Sequence, residues 1–62
     1  MKTIAELNDL STIDLRDYLG DLEQGIWEDS FFEDQARPSP EFQQLLDHRN
    51  EVLDLYLPRE AP

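Results

Sequence analysis

The chain has 62 residues, no cysteine, and fifteen Asp and Glu against five Lys and Arg, for a formal charge of −10. It is therefore at most one small domain, residues 1–62, with neither disulfides nor thiolate zinc sites to support it. A chain this short buries only about 60% of its unfolded surface and commonly relies on a second copy or a partner for stability.

The charge also sorts the partners. A chain of this charge repels nucleic acid and anionic lipid and attracts basic surfaces. The expected partner is another protein with a basic surface, with no direct nucleic acid and no membrane. No apolar run approaches the roughly 20 residues of a transmembrane helix. The first residues lack the apolar stretch of a secretory signal, so the expected location is cytoplasmic. Hydrophobic residues make up 39% of the chain and glycines number two, a composition that supports a small core rather than full disorder.

In chain order, Thr3-Ile4-Ala5-Glu6 has the spacing of a capping box, in which a hydroxyl and a carboxylate each satisfy an orphan amide. It predicts a short helix over 4–10, with Ile4, Leu7 and Leu10 as an apolar lid. Ser11-Thr12-Ile13-Asp14 repeats the pattern and opens a second helix over about 12–24. There Leu15, Tyr18, Leu19, Leu22 and Ile26 fall on one stripe.

Gly25 is expected to mark a bend. Ser30-Phe31-Phe32-Glu33 again has capping-box spacing and predicts a short helix over 31–36, followed by a loop at 37–39. Ser39 as N-cap, Pro40 at the first helical position and Glu41 against the helix dipole start a long helix. It is expected to run over 40–57 and to end at Pro58. On it Phe42, Leu45, Leu46, Leu53, Tyr56 and Leu57 share a face, with Val52 at the edge. The fold class is all-α: a small helical hairpin or three-helix domain with a short fourth helix. Dimerisation as a four-helix bundle is the natural extension.

Four features bear on function. Asp14, Asp17, Asp21 and Glu28 form an acidic stripe on the solvent side of the second helix. Its spacing, about 6 Å between residues four apart, is comparable with that of backbone phosphates. The stripe is therefore either a nucleic-acid mimic or an ordinary solvated face. The segment Trp27-Glu28-Asp29-Ser30-Phe31-Phe32-Glu33-Asp34 places three aromatic rings among four carboxylates. Aromatic anchors dominate interface energetics and charged rims steer approach. Two of the rings are expected to close the core and at least one to face a partner.

Arg49 falls at the centre of the third helix's apolar face. It needs a carboxylate partner on the second helix or across a dimer, or else its stem packs while its head stays in water. A pairing residue so placed can fix register. His48, the only histidine, is read as solvent-facing and as a poor metal ligand, so no metal and no cofactor are expected. No nucleophile set or phosphate-binding loop is present, and no catalytic residue is assigned.

The reading that follows is an acidic inhibitor or antagonist, of the kind phages encode, docking on a basic surface of a target protein, including one that normally holds nucleic acid. A stand-alone antitoxin or immunity-type neutraliser of a basic toxin shares the same electrostatics. A structural or assembly subunit using the apolar helical face is the third alternative, and resistance of its contact to salt would set it apart.

Overall fold

The computed structural model describes residues 1–34 and 36–60. Among these residues the protein is all-α: α1 (Ile4–Asn8), α2 (Thr12–Ser30) and α3 (Pro40–Glu60), with no strand. Among the described residues no helix is long and apolar enough to cross a membrane.

Each helix start is made by its own cap. The Thr3 hydroxyl accepts from the Glu6 amide at 3.2 Å, and the Glu6 carboxylate accepts from the Thr3 amide at 3.4 Å, a complete capping box. The Ser11 hydroxyl accepts from the Asp14 amide at 3.1 Å. At α3, the Ser39 hydroxyl accepts from the Phe42 amide at 3.2 Å.

The helix ends differ from expectation, for local reasons. α1 stops at Asn8 rather than residue 10, because the chain must turn before Ser11 can cap α2. α2 passes straight through Gly25, where no bend forms and φ stays negative. It ends at Ser30 because Ile26 continues the buried stripe by one more turn. The expected helix over 31–36 is replaced by turns at its described residues, and Gln35 lies outside them. α3 continues past Pro58 to Glu60. Proline removes one amide from that last turn, but side-chain contacts hold the turn in place. Tyr56 Oη donates to Glu60 at 2.6 Å, and Arg59 is anchored to α1 as described below.

α2 and α3 form the main contact of the molecule, and α1 packs on α3. Contacts between residues 33 and 39, 18 and 48, and 10 and 59 show that α2 and α3 run in opposite directions. The core cluster is Leu7, Leu15, Leu19 and Val52, with Leu10, Tyr18, Leu22, Leu53, Leu55 and Tyr56 packed around it. Each fully buried aliphatic side chain contributes about 1.5–3 kcal/mol, and only Leu7, Leu15 and Val52 are completely enclosed. The lid is thus Leu7 with part of Leu10, while Ile4 is exposed.

The stripe on α2 falls where its spacing placed it. The face of α3 is rotated from expectation: Val52 and His48 lie at its buried centre, and Leu57 is exposed. The α3 leucines and Tyr56 flank that line instead of forming it.

His48 is buried, not solvent-facing. Its Nε2 is 2.7 Å from Tyr18 Oη, its Nδ1 is 3.7 Å from the Glu51 carboxylate, and the two rings meet edge to face. The Lys2 amide donates to the same Tyr18 hydroxyl at 3.3 Å. This short polar chain satisfies an imidazole that would otherwise be costly to bury.

The last tie is Arg59. Its Nη1 donates to the Leu10 carbonyl at 2.6 Å and its Nη2 to the Asn8 carbonyl at 3.1 Å. Those carbonyls sit at the C-terminal end of α1, where orphan acceptors and the negative end of the helix dipole both favour a cation. A five-residue helix is too short to hold itself in water, so this guanidinium and Leu7 fasten it to α3.

Arg59→Ala is accordingly expected to cost about 1–2 kcal/mol. The loss should appear in urea denaturation together with loss of amide exchange protection confined to α1. Unchanged protection of α1 would contradict the clamp.

Candidate interaction surface

The segment after Ile26 leaves the core. Ile26 is buried, but Trp27, Phe31 and Phe32 are 60%, 67% and 89% exposed. The expectation that two of these rings would close the core is therefore corrected. Helix geometry explains it: Ile26 completes the buried stripe, and one residue further on, a rotation of about 100° carries Trp27 out of the seam between the helices. Trp27 and Phe31 then pack on each other edge to face, with centroids 4.9 Å apart. The Ser30 hydroxyl donates to the Trp27 carbonyl at 2.6 Å and closes the final turn of α2 beneath them.

The four carboxylates of this segment do not act alike. Glu33 accepts from the Ser39 amide at 2.9 Å and from the Ser39 hydroxyl at 2.7 Å, tying the end of α2 to the start of α3. These two bonds hold the Glu33 carboxyl below its ordinary value of 4.5. Asp34 accepts from the Ala36 amide at 2.9 Å and shapes the loop. Glu28 accepts from Gln24 at 3.1 Å. All of these acids except half-buried Glu33 are exposed, so the rings keep a negative border. Glu33 thus reaches forward to Ser39 rather than back to Ser30, and for this reason the capping-box pattern at Ser30 produces no helix.

Beside the rings a groove of about 180 Å³ is lined by Ser30, Glu33, Asp34, Pro38, Phe42 and Leu46, and its wall is mainly apolar. Of these, Phe42 and Leu46 were read from the sequence only as part of the apolar helical face, and Pro38 was not read as a site residue. The available signal was Phe42, an aromatic ring in the first turn of a helix whose buried line starts later.

The acidic stripe is present on α2. Asp14, Asp17, Asp21 and Glu28 are all exposed and follow one line at spacings of three, four and seven. On α3, Asp47, Glu51 and Asp54 make a second exposed line. Arg49 is half-buried with its Nε enclosed and unpartnered, and its Nη2 approaches only Asn50 Oδ1, at 3.5 Å. Among the described residues it forms no ion pair, so of the alternatives a carboxylate partner on α2 is not realised.

No protein-family model, no curated protein and no solved structure matches this chain.

The Glu33–Ser39 tie makes a pH prediction. A carboxyl whose folded pKa is depressed stabilises the fold fully above its unfolded value, and that contribution is lost as pH falls through the folded pKa. Glu33→Gln should therefore lower the melting temperature at neutral pH, and the gap from the wild type should close on acidification below the ordinary carboxylate range. Thermal melts of both proteins across that range check it, and a gap that persists in acid would contradict the tie.

Proposed function

We propose that this protein works by binding another protein, as an acidic antagonist that docks on a basic surface. Trp27 and Phe31 serve as its anchors, and the α2 carboxylates steer its approach. The observation that supports this most is the placement of the rings. A protein with so little enclosed apolar volume leaves Trp27, Phe31 and Phe32 in solvent, all within one short segment bordered by Glu28, Asp29, Glu33 and Asp34.

Exposing three large rings is costly to solubility, and clustered exposed apolar surface marks contact sites. Trp27 and Phe31 already hold each other edge to face, so little side-chain freedom is lost when a partner covers them. The acids add long-range attraction to a cationic target and discriminate against anionic ones. The lines Asp14–Asp17–Asp21–Glu28 and Asp47–Glu51–Asp54 also suit a target groove that ordinarily holds a phosphate backbone.

Capture of the partner from its native lysate on immobilised protein tests this reading. The partner should be basic and should elute with salt, because exposed charges are screened beyond about 8–10 Å at moderate ionic strength. Trp27→Ala and Phe31→Ala should each weaken its binding by more than about 1 kcal/mol while the helical circular dichroism stays unchanged. Equal capture by wild type and a Trp27→Ala/Phe31→Ala double variant would remove the rings from the mechanism.

A further inference from the structure

The two sides of the α2–α3 pair are not equivalent. One side is covered by α1 and the residues before it, as the Lys2–Tyr18–His48 chain and the Arg59 clamp show. Among the described residues the other side has no covering element. It is identified by the groove in which Ser30 of α2 meets Phe42 and Leu46 of α3.

On α3 this open side presents Phe42, Leu46, Arg49, Leu53 and Tyr56, at spacings of four, three, four and three, the alternation of a helix–helix seam. All five are half-buried rather than enclosed. On α2 the matching line is Arg16, Glu23 and Ser30, seven residues apart.

Charge is divided between the sides. Seven exposed carboxylates, Asp14, Asp17, Asp21 and Glu28 on α2 and Asp47, Glu51 and Asp54 on α3, fall on lines away from the open side. The open side holds two of the chain's five cationic residues, Arg16 and Arg49, together with Glu23 and, next along the α3 line, Glu60, and Glu33 and Asp34 border it at the loop. It is therefore an apolar side of a strongly acidic molecule where a copy of the same molecule meets both signs of charge.

Arg49 adds a second, independent indication: its Nε is enclosed and unpartnered, and among the described residues no carboxylate pairs with it.

We infer that the open side of the α2–α3 pair is covered by a second copy of this chain. The Leu46–Arg49–Leu53 stripe lies at the centre of a four-helix interface, and Arg49 meets a carboxylate of the other copy. The contact is isologous, as closed dimers require. It is centred on the middle of α3 and leaves Trp27 and Phe31, which lie off that stripe, free for another partner. This inference does not depend on the proposed function.

Sedimentation equilibrium of the purified protein tests it. The wild type should reach twice the monomer mass as concentration rises. Arg49→Glu should weaken the dimer by about tenfold or more with unchanged helical circular dichroism. Asp21→Lys on the opposite side and Trp27→Ala at the loop end should leave it intact. A wild type that stays monomeric at every concentration overturns the inference. So does a dimer indifferent to Arg49→Glu, or one broken by Trp27→Ala.

A measurement without variants gives the same decision. In a mixture of isotope-labelled and unlabelled wild-type chains, intermolecular NOEs are expected at the methyls of Leu46 and Leu53. Cross-peaks confined to other residues overturn the placement.

Discussion

The interior of this protein is a single seam between two antiparallel helices, closed at one side by a five-residue helix. That seam is one side chain deep, and only Leu7, Leu15 and Val52 are fully enclosed within it. Its capacity sets everything else. Backbone ordering costs about 1–2 kcal/mol per residue, so a core of this size leaves a small margin and must waste none of its volume on rings that fit poorly. Leucines at 15, 19 and 22, with Ile26, fill the α2 side, and Val52 and His48 fill the α3 side. The aromatic rings at 27, 31 and 32 are left over, and the same shortage leaves one side of the pair uncovered.

Because the seam is thin, long-range polar ties do work that a larger core would do by packing. Arg59 holds the end of α1, Tyr18 and Lys2 satisfy His48, and Glu33 joins the two long helices at the loop. Each tie satisfies groups that a buried or frayed position would leave unpaired. They also divide the surface. The Arg59 and His48 ties and α1 lie along one side, with most exposed carboxylates on the outer faces, while Arg16, Arg49 and the flanking leucines lie on the other. The proposed docking of a basic partner and the inferred pairing of two copies use different parts of that surface, so one molecule can do both.

Local chemistry was legible in the sequence, and long-range chemistry was not. All three helix starts were readable because Thr3, Ser11 and Ser39 act within their own first turns. The α2 stripe was readable because its buried positions are all apolar. The register of α3 was misread because its buried line contains His48, which hydropathy counts as polar, while leucines and Tyr56 crowd the flank beside it. What makes His48 a core residue is Tyr18, thirty positions away.

The run of α3 past Pro58 depends likewise on Arg59 reaching back to Leu10, and the missing helix after Ser30 depends on Glu33 choosing Ser39. Of the candidate site, the acids and rings were identified by type, but their exposure was not. Whether Trp27 lies in or out is decided by how much the seam can hold, and no local pattern contains that quantity.

Trp27 is the only tryptophan in the chain, so its fluorescence reports that decision without any substitution. The account predicts a red-shifted emission maximum in the folded protein, close to that of the urea-unfolded chain, with nearly complete access to acrylamide quenching. A blue-shifted emission shielded from acrylamide at concentrations where the protein is monomeric would place the ring inside the seam and contradict the account.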